Sequence, residues 1–411
     1  MKKRFWTPSN QVPANARSSH SGSTSHGLRT LSLWLFVVML CLAWSSTSFA
    51  TGSRINSMGG GSKNITVDDD HNIWNFPSTI VKWGNRAVID RFNGTTGEFG
   101  VNYGLNQDAV LIVYGGDHQD RAFSYGGAAA NSSSCGTACS GNGNTYKGSI
   151  GFGWNASGTK FGAILSVYGD NQKTPDTPSR GPLGMGIDFG ASIGDLDFTV
   201  GLLYGALNDE TKAYGGGDGH TESGLLLRYT SNVAPGIDAI PYLDFNLHSK
   251  SIRFDNITRK DSSLGFDLGS DLKIQPANDI YIYPGVGIAF QMDTEGPDNG
   301  ESETYNLALP YFSLGLDAKI TEWLDFRMGA SQTDEYKTVD ACANGETQCQ
   351  ESSTSKDSDV RLIYTAGFGL QFSDLIIDLN LNPQFFNNGL YFVNGSETSQ
   401  FGVDVALLYT W

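Results

Sequence analysis

Apolar residues alternate with small or polar residues along most of the chain between Thr79 and Trp411. The repeating unit is a stretch of about ten residues followed by turn residues, and an alternation of period two is typical of a β-strand with two different faces. Clear apolar series are Leu183/Met185/Ile187/Phe189, Leu196/Phe198/Val200/Leu202/Tyr204 and Val360/Leu362/Tyr364/Ala366/Phe368/Leu370/Phe372. The pattern predicts an all-β protein.

The second face of the strands decides between a sandwich and a barrel. A β-sandwich exposes its polar face to water and carries large charged residues there. Here the second face is small and rich in glycine, as in Gly184, Gly186, Asp188 and Gly190. Lipid outside and a crowded polar interior explain such a face, so we expect a closed antiparallel transmembrane β-barrel over residues 79–411.

Short and long connections alternate, which is the convention of membrane barrels with periplasmic turns and external loops. The short turns lie at 105–108, 155–159, 194–195, 232–237, 276–279, 321–322 and 373–374, and the longer connections at 117–145, 170–182, 207–220, 249–260, 293–303, 337–357 and 383–398. Seven hairpins, a final strand and a first strand within 79–92 predict 16 strands. The alternative is 14, because the first strand has a weak pattern.

The first 50 residues have the features of an export signal. A basic start with Lys2, Lys3 and Arg4 precedes the apolar run Leu31 to Trp44, and Ser48-Phe49-Ala50 supplies small residues before a cleavage site. A membrane anchor is the alternative, although a spanning helix needs about 20 apolar residues. Residues 1–50 are therefore expected to be a signal peptide that directs the chain to the outer membrane of a Gram-negative cell.

The C-terminal strand carries its apolar residues on one face and ends on an aromatic residue. Phe401, Tyr409 and Trp411 belong to this face. Such an ending resembles the assembly signal of outer-membrane barrels, and it implies the barrel assembly machinery and outer-membrane lipid as partners.

Charge excludes one class of partner. Removing residues 1–50 takes five of the 27 basic residues and none of the 43 acidic ones, which leaves a net charge of −21. Nucleic acid, which is itself an anion, is not expected to bind such a surface.

Four cysteines remain after residue 50, in two close pairs within predicted external loops. In an oxidising envelope we expect the disulfides Cys135–Cys139 and Cys342–Cys349. A four-cysteine zinc site is the alternative, but its usual spacing is tighter. We therefore expect neither a metal nor a cofactor.

An enzymatic barrel is a weaker hypothesis. Asp244 and His248 fall on the same face of one strand, but no motif places a serine or a second acid beside them. We expect no catalytic activity.

Assigning the apolar face outward leaves a set of charged residues expected to line the lumen. The main members are Asp188, Asp197, Arg228, Asp238, Asp244, Asp267, Asp271, Lys273, Asp317, Lys319, Asp325, Arg327, Arg361, Asp378 and Asp404. With Lys250 added, ten acids face six bases, which favours cations in the lumen. Alternatively, the charges pair with one another and serve the structure.

Residues 51–78 differ in sequence pattern from the alternating strands that follow. They contain Arg54-x-x-x-Met58-Gly-Gly, an Asp-Asp step and Asn75-Phe76-Pro77. This run resembles the N-terminal region of the long-chain fatty-acid transporter superfamily of outer-membrane barrels. The resemblance implies a hatch that folds into the lumen. The residues expected to form it are Gly59, Gly60, Gly61, Asp68, Asp69, Asp70, Trp74 and Phe76, with Lys273, Lys319 and Arg327 as partners of the acids.

Transport of small solutes through a cation-preferring or partly plugged barrel is the function that these features favour. The alternatives are a non-conducting structural or adhesive surface barrel, and a transporter of hydrophobic compounds with an N-terminal hatch.

Overall fold

The structure is a computed structural model that describes most of the chain beyond residue 51. The described ranges are 52–58, 65–90, 97–116, 144–171, 182–207, 219–254, 257–297, 302–342, 352–381 and 403–411. The expected signal peptide, Gly59–Gly61, Cys135, Cys139, Cys349 and Phe401 lie outside these ranges, and the side chains of Cys342, Lys250 and Arg361 are also not described.

Seventeen strand segments make up nearly all of the regular structure. They are β1 Arg86–Asp90, β2 Glu98–Asn106, β3 Ala109–Gly116, β4 Asn144–Ala156, β5 Thr159–Asn171, β6 Pro182–Ile193, β7 Leu196–Leu207, β8 Gly219–Tyr229, β9 Ser231–Ala234, β10 Ile237–Phe254, β11 Ile257–Ala277, β12 Ile280–Pro297, β13 Ser302–Thr321, β14 Leu324–Cys342, β15 Ser352–Phe372, β16 Leu375–Leu381 and β17 Val403–Thr410. Within the described ranges, no helix is long and apolar enough to cross a membrane.

The sheet is antiparallel and closes on itself. β1 pairs with β17 on one side, where Arg86 lies opposite Thr410, and with β2 on the other, where Asp90 lies opposite Glu98. Each later strand pairs with the next along the chain, and β8 and β9 both pair with β10, so that they count as one strand. The closed barrel therefore has 16 strands. The sequence-based count of 16 is confirmed, and the alternative of 14 is wrong.

The two faces of the strands differ as the alternation predicts. On β6, Met185 is 56% exposed and Ile187 is exposed, whereas Gly184 and Gly186 are buried and Asp188 is only 2% exposed. An apolar outer face and a small, polar inner face confirm a barrel rather than a sandwich.

Strand length differs from the expectation on one side of the barrel. Strands β10–β15 contain 18 to 21 residues, about twice the length needed to span a membrane. Much of the expected loops at 249–260, 293–303 and 337–357 is therefore strand. The cross-strand pairing continues through these stretches, where for example Lys260 lies opposite Gly296 and Thr338 opposite Lys356.

In the described residues before the first strand, the chain forms three short helices. They are α1 Gly52–Ser57 and the 3₁₀ helices η1 Asp70–Trp74 and η2 Pro77–Lys82. The Asp69 carboxylate caps η1 by accepting the Asn72 backbone N–H at 3.1 Å, and Pro77 occupies the first turn of η2, where its missing N–H costs no hydrogen bond. Residues 79–82 thus belong to η2, and the first strand begins at Arg86.

Candidate functional site

Residues 52–58 and 65–82, together called the N-terminal segment, lie against the inner faces of the strands near the short turns. The Ser192 hydroxyl donates to the Ser78 hydroxyl at 2.7 Å, and the Thr199 hydroxyl donates to the Asn75 carbonyl at 2.7 Å. Both wall residues lie within five positions of the Ile193–Leu196 turn. The segment is therefore located at the end of the barrel that the alternation of connections assigns to the periplasm.

Contacts with the N-terminal segment come from strands all around the barrel. The contacting wall residues are Val88 on β1, Val110, Ile112 and Tyr114 on β3, Gly153 on β4, Ile164 on β5, Gly190 and Ser192 on β6, Thr199 on β7, Arg228 on β8, Tyr242 on β10, Asp271 on β11, Tyr283 on β12, Asp317 on β13, Thr365 and Gly367 on β15, Ile376 on β16 and Leu408 on β17. The described parts of the N-terminal segment therefore contact the inner faces of strands from both halves of the sheet.

Apolar packing holds the central part of the segment. Ile73, Trp74 and Ile80 pack against aliphatic side chains of β1, β3 and β5, and the Trp74 ring meets the Tyr114 ring edge to face at 4.9 Å. On the other side, Phe76 packs with Leu203, Leu226 and Tyr242. Burying a large apolar side chain contributes about 1.5–3 kcal/mol, so four such side chains give this part a strong preference for the wall.

Glycines on the wall make room for this packing. A Cβ atom added at Gly162 would overlap the Pro77 backbone, and one added at Gly153 would lie 2.7 Å from the Ile80 Cβ. At Gly190 the added atom would lie 2.9 Å from the Pro77 Cδ. The small inner face of β4–β6 therefore forms the surface on which η2 lies.

A buried ionic network joins α1 to the wall. Arg54 donates to the Asp317 carboxylate, and both side chains are less than a tenth exposed. Arg327, which is 1% exposed, binds the same Asp317 at 3.3 Å and also binds Asp325 and Asp378. Two guanidinium groups thus share three carboxylates, with Asp317 between the two.

The acids of the segment have other partners than the sequence suggested. Asp68 pairs with Lys82 at 2.9 Å and Asp70 pairs with Arg86 at 3.3 Å. Of the bases expected to bind them, Arg327 binds wall carboxylates, and Lys273 lies over the Tyr281 ring at 5.3 Å. The sequence predicted acids of the segment bound to bases of the wall. The main ionic link is the reverse, because an arginine of the segment binds an acid of the wall.

Burial changes the acid strength of the two carboxyl groups in η1 and at its cap, which are outside the membrane-spanning strands. Loss of water, together with the adjacent Asp70 charge, raises the pKa of Asp69 to about 7. Burial raises the pKa of Asp70 to about 6, against the opposing effect of Arg86. Protonation of Asp69 is therefore possible near neutral pH.

A second hydrogen-bonded group covers the inner wall between β10 and β13. The Tyr242 and Tyr311 hydroxyls meet above Gly269 and Gly287, and Tyr311 donates to Asp267 at 2.7 Å. Asp271 accepts from the Thr66 hydroxyl of the N-terminal segment.

The remaining predicted lumen residues are distributed around the barrel. Asp197 accepts from Arg228 at 2.6 Å, Asp238 accepts from Asn232 at 2.9 Å, and His248 contacts Glu222 at 3.1 Å. Asp188 and Asp244 are buried, Lys319 lies opposite Asp325, and Asp404 lies opposite Asn380. Within the described residues, no group of three or more His, Cys, Asp or Glu side chains is placed to hold a metal ion.

Three residues that contact the segment were not predicted from the sequence. Arg86 pairs with Asp70, and the Ser192 and Thr199 hydroxyls donate to Ser78 and Asn75. Each lies at an inward position of its strand. Nothing in the sequence distinguishes them from other residues that line the lumen, because serine and threonine are common there and Arg86 is only the first residue of a short strand.

The closed antiparallel sheet, with its apolar outside and its polar, charged inside, defines the class of the protein. Only a closed barrel satisfies every strand hydrogen bond in lipid, and an exposed apolar band requires lipid around it. The protein is an outer-membrane β-barrel.

The chain was compared with known sequences and with solved structures. No family model matches the sequence, and no curated protein matches it. Similar solved structures include a TodX monoaromatic hydrocarbon channel mutant, deltaS2, with 11% identity, 88% of this chain and 98% of that chain covered, and a TM-score of 0.41. The Pseudomonas putida toluene transporter TodX has 12% identity, 88% and 98% coverage and a TM-score of 0.37. A bacterial polysaccharide outer membrane secretin has 10% identity, 80% and 97% coverage and a TM-score of 0.39.

Proposed function

We propose that the protein is a transport channel for small solutes in the outer membrane, and that its N-terminal segment is a hatch that closes the lumen. The observation that carries the proposal is the set of wall contacts made by residues 54–58 and 65–80. A segment bound to strands on every side of the barrel obstructs the path between its two ends.

The type of contact supports a hatch rather than a permanent core. Arg54, Thr66, Ser78 and the carbonyls of Ile65 and Asn75 are bound through hydrogen bonds or ion pairs to the wall. Water can replace such polar partners, because a typical internal hydrogen bond contributes about 0.5–1.5 kcal/mol and one to a charged group about 1.5–3 kcal/mol.

The lumen charge supports a preference for cations. The alternation places ten acids and six bases on the inner face, and two of the acids, Asp188 and Asp244, are buried there. An acidic lining raises the local concentration of cations. A reversal potential measured in a potassium chloride gradient tests the sign of this preference.

Deletion of residues 54–76 is the direct test of the hatch. We expect the single-channel conductance in a planar bilayer to rise several-fold, because the deletion removes the cross-lumen contacts and leaves all strands in place. Heat-modifiable migration on gels controls for an intact barrel. Equal conductance with and without the segment contradicts the proposal and favours a structural or adhesive barrel.

A transporter of hydrophobic compounds is the second candidate, and one observation favours it. The inner wall below η1 and η2 is aliphatic, with Val110, Ile112, Ile164, Ile376 and Leu408 buried there. If this surface becomes the path when the hatch moves, naphthalene uptake into cells expressing the protein exceeds that of cells with an empty vector, while arabinose entry does not change.

A further inference from the structure

The two parts of the N-terminal segment are held by different forces. Residues 65–82, which contain η1 and η2, insert Ile73, Trp74, Phe76 and Ile80 into apolar clusters. Helix α1 is joined to the wall by the Arg54–Asp317 ion pair and by the Thr365 hydroxyl, which donates to the Ser57 carbonyl at 3.0 Å. Its apolar anchoring is smaller, with Ile55 buried and Met58, directly after the helix, packed against Tyr283. Apolar side chains resist transfer to water, whereas a guanidinium is well hydrated once it leaves its partner.

The wall near α1 carries several charged groups, whereas the wall below η2 is mostly glycine and aliphatic. It includes Asp317, Arg327, Thr365, Asp378 and Asn380, with Gly315 and Gly367 beside Met58 and Ser57. These residues belong to β13–β16. The wall below η2 is formed by glycines of β4–β6 and aliphatic residues of β3 and β5.

Arg327 is a second cationic partner for the carboxylate that binds α1. It binds Asp317 through Oδ1 while Arg54 binds the same carboxylate through Oδ2. When Arg54 leaves, Asp317 keeps a cationic partner, so its charge is not left buried alone. Arg327 also binds Asp325 and Asp378 and is therefore held from three sides. Arg327 therefore acts as a positioning residue, because it holds the Asp317 carboxylate that Arg54 binds.

We propose that the channel opens on the β13–β16 side, by release of α1 from Asp317, while residues 65–82 stay on the wall. The path then runs past Asp317, Arg327, Asp378 and Asn380, whose carboxylates, guanidinium and amide fit small polar or charged solutes rather than apolar ones. This inference rests on the proposed channel function and adds to it the moving part, the position of the path and the class of solute.

Two reversible disulfides test which part moves, in a protein whose Cys135, Cys139, Cys342 and Cys349 are replaced by serine. Ser57→Cys with Gly367→Cys ties α1 to β15, since a side chain added at Gly367 meets Ser57. Ser78→Cys with Ser192→Cys ties η2 to β6. Ser149→Cys with Ser166→Cys is the matched control, because these hydroxyls lie 3.0 Å apart on β4 and β5 and join the wall only to itself.

Arabinose entry into proteoliposomes is measured before and after reduction. We expect the α1 lock to abolish entry and reduction to restore it, while the η2 lock and the control leave entry unchanged. Block by the η2 lock alone, or by both locks, overturns the inference and leaves the channel function intact. No block by any lock, together with no effect of deleting residues 54–76, rejects the channel function itself.

Charge substitutions provide an independent measurement. Arg54→Gln should raise the frequency of open events in single-channel records several-fold, and Arg54→Lys should raise it less because the ion pair is retained. Lys82→Gln is the control, since Lys82 pairs with Asp68 of the same segment and is exposed. Naphthalene entry should not rise with arabinose entry in Arg54→Gln. Equal gating in Arg54→Gln and the original protein, or a selective rise for naphthalene, overturns the inference.

Discussion

Arg54 and Asp317 form a buried ion pair across 263 positions of the chain. Arg54 belongs to a helix of six residues, and Asp317 lies on strand β13, four positions before the turn at Thr321. The pair therefore links the N-terminal segment to the barrel through charge, at a place where the wall supplies a second arginine to the same carboxylate.

Asp317→Asn should release α1. Removing one partner of a buried ion pair costs about 3–5 kcal/mol, because Arg54 would otherwise stay buried without this counter-charge. We expect trypsin to cut after Arg54 much faster in detergent-solubilised protein, as followed by mass spectrometry of the products. Asp325→Asn is the control, since Asp325 takes part in the same network through Arg327, at 3.4 Å. Equal cleavage rates in the two variants contradict the role of the pair.

Gly162→Leu should displace η2 from the wall. The first added carbon would overlap the Pro77 backbone, and overpacking of a filled site costs about 1–3 kcal/mol. Trypsin cleavage after Lys82 is expected to accelerate, and the conductance to rise. Gly148→Leu on the neighbouring strand is the control, because an added Cβ there meets nothing within 4 Å. If both variants keep the original cleavage rate, η2 does not lie on Gly162.

The binding of residues 65–82 to the barrel wall should weaken as the pH rises through neutrality. Burial raises the pKa of Asp69 from 3.8 to about 7, so the protonated form is the one that the buried site favours. A carboxyl group with a raised pKa contributes stability that is complete at low pH and is lost as the pH rises through the folded value. Asp68, Asp70, His71 and Arg54 are the charged neighbours that set this value.

The measurement is protease protection of residues 65–82 between pH 5.5 and 8.5, with protection expected to decrease across this range. Asp69→Asn should flatten the dependence, since asparagine keeps the cap on Asn72 without titrating. Asp68→Asn is the control at an exposed position. If Asp69→Asn leaves the pH dependence of protease protection unchanged, a group other than Asp69 causes that dependence.

Trp411→Ser should reduce the amount of protein in the outer membrane sharply. Trp411 is exposed on the outer face, stacks on Tyr409 at 6.3 Å, and donates its backbone N–H to the Asn85 carbonyl at 3.1 Å. The side chain is thus free to serve as an assembly signal and as an interface anchor. Quantitative blots of membrane fractions test this, with Tyr229→Ser as an exposed aromatic control near another short turn. Undiminished, heat-modifiable Trp411→Ser protein would refute the signal.

The sequence alone determined the closed barrel and its 16 strands, because alternation of period two is a local property that each strand carries by itself. Met185 and Ile187 point to lipid and Gly184 and Gly186 point inward for the same reason, whichever strand lies beside them. Turn residues such as Gly194-Asp195 likewise act locally, so the number of hairpins could be counted along the chain.

Partners across the lumen were decided only by the tertiary structure. Alternation shows that Asp317, Arg327 and Lys273 face inward. It contains no information about which inward residues meet, because that depends on strand stagger and on where residues 52–58 and 65–82 contact the wall. The acids Asp68 and Asp70 accordingly pair with Lys82 and Arg86, which follow them closely in sequence, while the long-range link joins Arg54 to Asp317. Local patterns specify faces, and only the closed fold brings distant faces into contact.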